Sequence, residues 1–173
     1  MDTVLDFAAE VNAAMLEIAE APRTLFLGQS VAYDGARIHA SLEGVPNDKR
    51  MEMPVVEDFQ LGFSIGLALA GVLPICIYPR IDFMLLAMNQ LVNHLDRIEE
   101  MGDFRPKVII RTTVGARVPF NAGPQHTGNY VEPIRAMLRH VNVVELREAK
   151  HVRVAYRAAL RGPHSFLFVE NPC

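Results

Sequence analysis

The sequence has few cysteines, the residues that cross-link small folds through disulfides or metal sites. It holds two cysteines among 173 residues, Cys76 within an apolar run and Cys173 at the last position. This placement indicates neither a disulfide framework nor a cysteine-based zinc site. We therefore expect the fold to rest on an apolar core, with Cys76 as a small buried hydrophobic residue inside it.

Positive charge and long apolar stretches are also scarce. The net charge is −3 and no run of Lys and Arg exceeds two residues, which argues against nucleic-acid binding and against a polybasic membrane patch. The segment MDTVLDFAAEVNAAM carries acids where a secretory signal needs bases, and no window is apolar over the length of a membrane span. A cytoplasmic protein that binds neither nucleic acid nor membrane is expected.

The residues that are present have the composition of a globular domain. Half are hydrophobic and 21% are charged, without an internal repeat or low-complexity linker, so residues 1–173 are expected to form one domain. Short apolar runs alternate with longer helical patterns, which predicts a doubly wound α/β fold: a mostly parallel sheet with helices on both faces. The predicted strands are 24–27, 73–78, 107–111, 141–146 and 165–169, with a weaker one at 50–53; the predicted helices are 3–21, 58–70, 83–98, 131–139 and 150–160.

Two long loops, 33–49 and 112–127, interrupt this pattern. Loops of such length in a compact domain are usually functional or mobile. Ligands of open parallel sheets bind at the carboxyl ends of the strands, and the second loop follows a predicted strand at that end. The second loop is therefore a candidate site.

The segment around Glu57 offers two interpretations. Glu57 and Asp58 stand where a helix begins, and acids there are stabilised by the helix dipole, so a simple terminal charge explains an isolated Glu. Gly62, Gly66 and Ala70 follow at four-residue spacing on one helix face. Because glycine inside a helix costs about 1 kcal/mol relative to alanine, this smooth face indicates close approach of another backbone.

A family resemblance rests on this segment and four others. The string PVVEDFQLGFSIGLALAGVLPIC, residues 54–76, resembles the part of the pyruvate and branched-chain 2-oxo acid dehydrogenase beta subunits that carries a glutamate for the thiamine pyrimidine. Residues 123–126, GPQH, are similar to a transketolase string. The other likenesses are LFLGQSVAYDGA at 25–36, Asp82-Phe83 through Asn93, and Phe168 through Asn171. The chain is thereby identified as a transketolase-type pyrimidine-binding domain of the thiamine-diphosphate enzymes.

The resemblance implies cofactor binding by Glu57, Phe83 and Gln29, and catalytic roles for Glu57 and His126. Glu57 would hydrogen-bond the pyrimidine nitrogen N1′ of thiamine diphosphate and favour its imino tautomer, and for this task Glu57 should be buried. Phe83 matches the aromatic that stacks on the aminopyrimidine, and His126 the active-site histidine that moves protons near the substrate. Gln29 stands where the dehydrogenase beta subunits commonly have glutamate, and it is assigned to cofactor binding.

The family's diphosphate site has no counterpart in the sequence. These enzymes hold the diphosphate through Mg²⁺ with a G-D-G string and later asparagines, and the nearest string is Tyr33-Asp34-Gly35. No metal ligand is therefore assigned, and the diphosphate-binding and C-terminal transketolase domains are expected to be absent. The expectation is a split enzyme in which a separate alpha-type subunit holds Mg²⁺ and shares the cofactor, assembled as a dimer of heterodimers.

Several functions stay open at this point. Cleavage next to the carbonyl of a 2-oxo acid is the leading hypothesis; ketol transfer on sugar phosphates, or a catalytically silent regulatory subunit, are the alternatives. Arg117 and Arg147 are candidates for a substrate carboxylate or phosphate, or are simply solvated. A generic nucleotide-binding domain is disfavoured because the first strand lacks a G-x-G-x-x-G turn after it.

Overall fold

The computed structural model describes residues 6–33, 37–115 and 121–172. Arg117, Cys173 and the Asp34-Gly35 pair, all singled out above, lie outside these residues. Within the described part, no helix combines the length and apolarity needed to cross a bilayer.

One six-stranded sheet organises the chain. Its strands follow the order β2-β1-β3-β4-β6-β5, and every described pairing is parallel. The strands are β1 (Thr24–Gly28), β2 (Arg50–Glu52), β3 (Leu73–Ile77), β4 (Ile109–Thr113), β5 (Asn142–Leu146) and β6 (Phe166–Glu170). Each overlaps a predicted strand, so the α/β prediction is confirmed.

The described residues contain seven α-helical segments, of which the first precedes β1 and the other six lie between strands. They are α1 (Phe7–Ala19), α2 (Arg37–Ala40), α3 (Glu57–Leu69), α4 (Ile81–Met84), α5 (Ile98–Met101), α6 (Val131–Met137) and α7 (Ala149–Arg161). The predicted loops are partly ordered: 33–49 contains α2 and a 3₁₀ turn, Asn47–Lys49, while 112–127 begins inside β4 and includes the 3₁₀ turn Pro124–His126.

The prediction of one continuous helix over 83–98 was wrong. The structure has α4, a 3₁₀ turn at Leu85–Ala87, a π-helical stretch at Gln90–Leu95 and then α5. The buried side chains explain the change of pitch, since their spacing widens from three residues to four along the segment: Ile81, Met84, Ala87, Leu91 and Leu95. Tightening and then widening the turn keeps this stripe on the core.

The apolar core lies on both faces of the sheet. Phe26, Ile75 and Phe168 belong to the face covered by α1 and α7. The alternate residues Cys76 and Ile110 point to the other face, where α3 and the segment after α4 pack. Cys76 is fully buried, as predicted.

A buried polar network ties the first long loop to this core. Arg111 on β4 forms two hydrogen bonds with Glu170 at the end of β6, at 2.6 and 3.0 Å, and the two residues are 2% and 5% exposed. Arg111 also donates to the Ser41 hydroxyl at 2.7 Å, and Tyr156 donates to Glu170 at 2.9 Å. The guanidinium thus anchors the segment after α2 above the sheet.

On the surface, α1 and α7 are joined by one acid between two arginines. Glu17 accepts hydrogen bonds from Arg157 at 2.6 and 2.7 Å and from Arg153 at 2.9 Å. Those from Arg157 contribute most in lowering the pKa of Glu17, from 4.5 to about 2, against an opposing effect of burial. Because the folded pKa is the lower one, this stabilisation is complete above pH 4.5 and is lost as the pH falls towards 2.

Glu17→Gln should therefore lower the free energy of unfolding at pH 7 by about 1 kcal/mol, the scale of a solvent-screened ion-pair network. The difference from the wild type should shrink as the pH is lowered from 5 towards 2. Urea unfolding across this pH range measures it, with the exposed acid variant Glu132→Gln as the control. A difference that stays constant with pH would contradict the assignment.

Candidate active site

The candidate residues gather at the carboxyl ends of three neighbouring strands. Gln29 follows β1, Phe83 follows β3, and the loop carrying His126 follows β4; these strands are adjacent in the order β1-β3-β4. Glu57 begins α3, which follows β2 at the same edge. This edge is where open parallel sheets bind their ligands.

Glu57 is held at this edge by bonds between α3 and β3. The Tyr78 hydroxyl, whose pKa is raised chiefly by burial, donates to the Glu57 backbone oxygen at 2.9 Å. One turn along α3, the buried Gln60 amide donates to the Ile77 carbonyl at 3.0 Å. The first turn of α3 is therefore fixed against the end of β3.

The Glu57 side chain is buried, as predicted, and is 5% exposed. Among the described residues no donor forms a hydrogen bond or ion pair with its carboxylate, whereas neighbouring Asp58 is exposed and accepts from Gln90 at 3.2 Å. A merely terminal acid would sit in solvent as Asp58 does. Glu57 therefore keeps its hydrogen-bonding capacity for a ligand that reaches this edge of the sheet.

Gln29 lies against the first turn of α3. Its amide nitrogen contacts the Gln60 side-chain oxygen at 3.3 Å and the Pro54 carbonyl at 3.5 Å. The turn after β1 is fixed by Glu52, whose carboxylate accepts from the backbone N–H groups of residues 30, 31 and 32 at 2.6 to 2.9 Å. Gln29, Glu52 and Pro54 line an open cleft of about 460 Å³.

Phe83 and His126 are brought into contact by the fold. Their ring centroids lie 5.4 Å apart with an interplanar angle of 59°, and both side chains are half-buried. The His126 Nδ1 atom is buried and has no hydrogen-bond partner among the described residues. The imidazole thus keeps hydrogen-bonding capacity next to the Phe83 ring.

Sequence reasoning missed the polar residues that support these four. Gln60 stands on an otherwise apolar stripe, which is the signal that could have found it; Glu52 and Asp82 carry no such periodic signal. Arg80, after β3, is half-buried, and its side chain makes no ion pair or hydrogen bond among the described residues. Arg147, for which the sequence left an anion-binding and a solvated position open, is exposed and pairs with Glu145 at 3.1 Å.

An apolar groove of about 600 Å³ runs along the outer face of α3. Phe59 and Phe63 stack across it with centroids 5.8 Å apart, and Phe59 is 54% exposed. Gly66 opens onto it, since no atom lies within 4 Å of where a Cβ would stand. The predicted smooth helix face is thus present and uncovered in the described residues.

Comparison with solved structures defines the class of fold. A split-gene transketolase, described as an inactive beta4 tetramer, superposes with a TM-score of 0.72 at 16% identity, covering 95% of this chain and 50% of that one. The transketolase of Campylobacter jejuni gives a TM-score of 0.76 at 14% identity, covering 95% of this chain and 25% of that one. The fold is therefore that of a transketolase-type α/β domain.

Comparison with curated proteins identifies the family. The mitochondrial pyruvate dehydrogenase E1 beta subunit of Caenorhabditis elegans is 29% identical over 161 residues, which are 90% of this chain and 45% of the relative. The Bacillus subtilis 2-oxoisovalerate dehydrogenase beta subunit is 26% identical, over 98% of this chain and 53% of the relative. The chain thus spans about half the length of these relatives, and no family model matches it. These findings confirm the thiamine-diphosphate-dependent transketolase and 2-oxo acid dehydrogenase beta-subunit family, at its pyrimidine-binding domain.

Proposed function

We propose that this chain is the pyrimidine-binding component of a thiamine-diphosphate enzyme that cleaves the bond next to the carbonyl of a 2-oxo acid. The observation that carries the proposal is Glu57, a 5% exposed residue at the carboxyl edge of the sheet whose carboxylate has no donor among the described residues. The names of the relatives, which are 2-oxo acid dehydrogenase beta subunits, support the substrate class.

The residues at the carboxyl edge of the sheet have different roles in the proposed reaction. Thiamine diphosphate, when bound, supplies the carbon nucleophile that attacks a substrate carbonyl. Glu57 binds the pyrimidine ring and holds a proton at its N1′ nitrogen, while Phe83 covers the ring face. Gln29 orients the pyrimidine from the β1 side, and His126 moves protons at the substrate through its imidazole.

The Arg80 guanidinium, which pairs with none of the described residues, supports an anionic substrate at this edge. Arg111 is paired with Glu170 and Arg147 with Glu145, whereas Arg80 at the end of β3 has no such partner in the described part of the chain. A guanidinium suits the carboxylate of a 2-oxo acid. Ketol transfer is the second candidate, because the transketolase-like string at 123–126 places His126 against Phe83.

The diphosphate and Mg²⁺ belong, in this proposal, to a separate alpha-type subunit. The sequence offers no G-D-G string, and the described residues hold no cluster of three His, Cys, Asp or Glu that could bind a metal. The apolar groove on α3 provides a surface on which this partner subunit can pack. The split-gene transketolase neighbour, inactive as a beta4 tetramer, supports a multi-subunit arrangement.

The test is reconstitution. The chain alone should bind thiamine diphosphate with Mg²⁺ no tighter than about 1 mM, roughly −4 kcal/mol. The complex with its copurified alpha-type partner should bind at micromolar concentrations and turn over a 2-oxo acid. Calorimetric titration, followed by assays with 2-oxo acids and ketose phosphates, separates these cases. Micromolar binding to the chain alone would overturn the split arrangement, and turnover of ketoses only would favour the second candidate.

Gly66→Leu supplies the assembly control for this experiment. Space is open at Gly66, so the variant should fold and even gain helix stability of up to about 1 kcal/mol. Its leucine would fill the groove, so partner binding and cofactor affinity should fall together in sedimentation and calorimetry. Ala158→Leu, at an exposed position of α7, should leave both unchanged. Normal assembly of Gly66→Leu would contradict the use of this face.

A further inference from the structure

Asp82, next to Phe83, connects two parts of the candidate site. Its Oδ1 atom accepts the backbone N–H of Gly128 at 3.1 Å, across 46 positions of sequence. Its Oδ2 atom is buried without a partner. The carboxylate therefore faces the loop that carries His126 rather than solvent.

The same loop is fixed at two further points close to His126. The Thr127 hydroxyl donates to the Gly123 carbonyl at 3.1 Å, which closes the turn around the histidine. Gly115, just beyond β4, lies so close to the His126 carbonyl oxygen that a Cβ atom there would overlap it. The loop thus rests on the β4 end on one side and on Asp82 on the other.

A simpler interpretation of Asp82 is that of an acid in the first turn of a helix. Helix α4 is only four residues long, so its dipole stabilises an acid only weakly. An interaction with a helix dipole also does not require the acid to be buried. Asp48 is an example of such an acid: it also lies in the first turn of a short helix, and it is exposed. Asp82 differs because it bonds a distant backbone N–H.

We propose that Asp82 is the positioning residue of His126: its Oδ1 atom holds the loop through Gly128, which keeps the imidazole against Phe83. The positioning is a property of this chain alone. Its catalytic consequence rests on the proposed function, because the histidine must be held near the substrate to transfer a proton. Misplacement of a catalytic group by about 1 Å can cost about 10²-fold in rate.

The first test uses NMR on the chain without cofactor. The Phe83 ring should shift the His126 ring protons, and Phe83→Leu identifies that contribution by removing it. Asp82→Ala should abolish the shift, Asp82→Asn should restore it because its amide oxygen can accept the Gly128 N–H, and Asp48→Ala should leave it unchanged. An unchanged shift in Asp82→Ala, or no rescue by Asn, would overturn the proposal.

Amide exchange keeps the proposal testable if Asp82→Ala does not fold. In the wild type the Gly128 amide should be protected, and exchange at the rate of a free peptide would overturn the proposed bond. In the assembled enzyme Asp82→Ala should lower kcat by about 10–100-fold while KM changes less than about threefold. If the wild-type complex shows no thiamine-dependent turnover while the NMR results hold, the proposed function fails and the positioning role stands.

Discussion

Replacing Glu57 by glutamine is expected to lower kcat of the assembled enzyme by about 10²–10⁴, the range for loss of a general acid–base group. Glutamine keeps the shape of the side chain, and it can still hydrogen-bond the pyrimidine. It cannot hold or release a proton at N1′. Affinity for the cofactor should therefore fall much less than turnover.

Exchange of the thiazolium C2 hydrogen for deuterium, followed by NMR in the complex with the partner, isolates this effect. Glu57→Gln should exchange slowly, whereas His126→Ala should exchange nearly as fast as the wild type and fail later in turnover. Asp58→Asn is the matched control, because Asp58 is the adjacent acid on α3 but is exposed. Wild-type exchange in Glu57→Gln would remove the central residue of the proposed function.

Five of the six described strands could be predicted because each contains an apolar run bounded by breaks in the pattern, whereas β2, Arg50–Glu52, is short and polar and gave only a weak signal. A strand that is buried on both faces of a parallel sheet needs apolar side chains on both sides, so it appears in the sequence as an apolar run. The helix over 83–98 could not be predicted with its true pitch. An apolar stripe shows which side chains are buried, but 3₁₀, α and π turns can each present a similar stripe, and packing against β3 and β4 decides among them.

The candidate site likewise contains residues that the sequence predicted and residues that only the structure shows. Glu57, Phe83, His126 and Gln29 were accessible through a resemblance of strings, and the fold brings each of them to one edge of the sheet. Asp82 and Gln60 act through single hydrogen bonds to Gly128 and Ile77, residues far away in sequence. The sequence left the role of Arg147 open, because its pairing with Glu145 depends on side-chain direction, which periodicity does not show.

The largest loss of stability is expected at the ion pair of Arg111 with Glu170. Burial alone would lower the pKa of the Arg111 guanidinium, but the Glu170 carboxylate outweighs burial and raises it. Glu170→Gln leaves that charge buried without a counterion, and breaking such a pair costs about 3–5 kcal/mol. Ser41 would lose a well-placed donor as well, if the guanidinium moves, so the segment after α2 should loosen.

Urea unfolding of the single and double variants shows whether the stability effects of Arg111 and Glu170 depend on each other. Arg111→Met and Glu170→Leu should each cost about 3–5 kcal/mol, whereas the double variant should cost less than their sum because it leaves no buried charge. Arg105→Met is the control: its pair with Glu99 at 3.4 Å is exposed, and its loss should change stability by less than about 1 kcal/mol. Hydrogen exchange of residues 38–45 should rise in the Arg111 variant, since Arg111 Nη1 bonds Ser41 at 2.7 Å. Additive single and double effects would show that the two side chains stabilise the fold independently, contrary to the network described here.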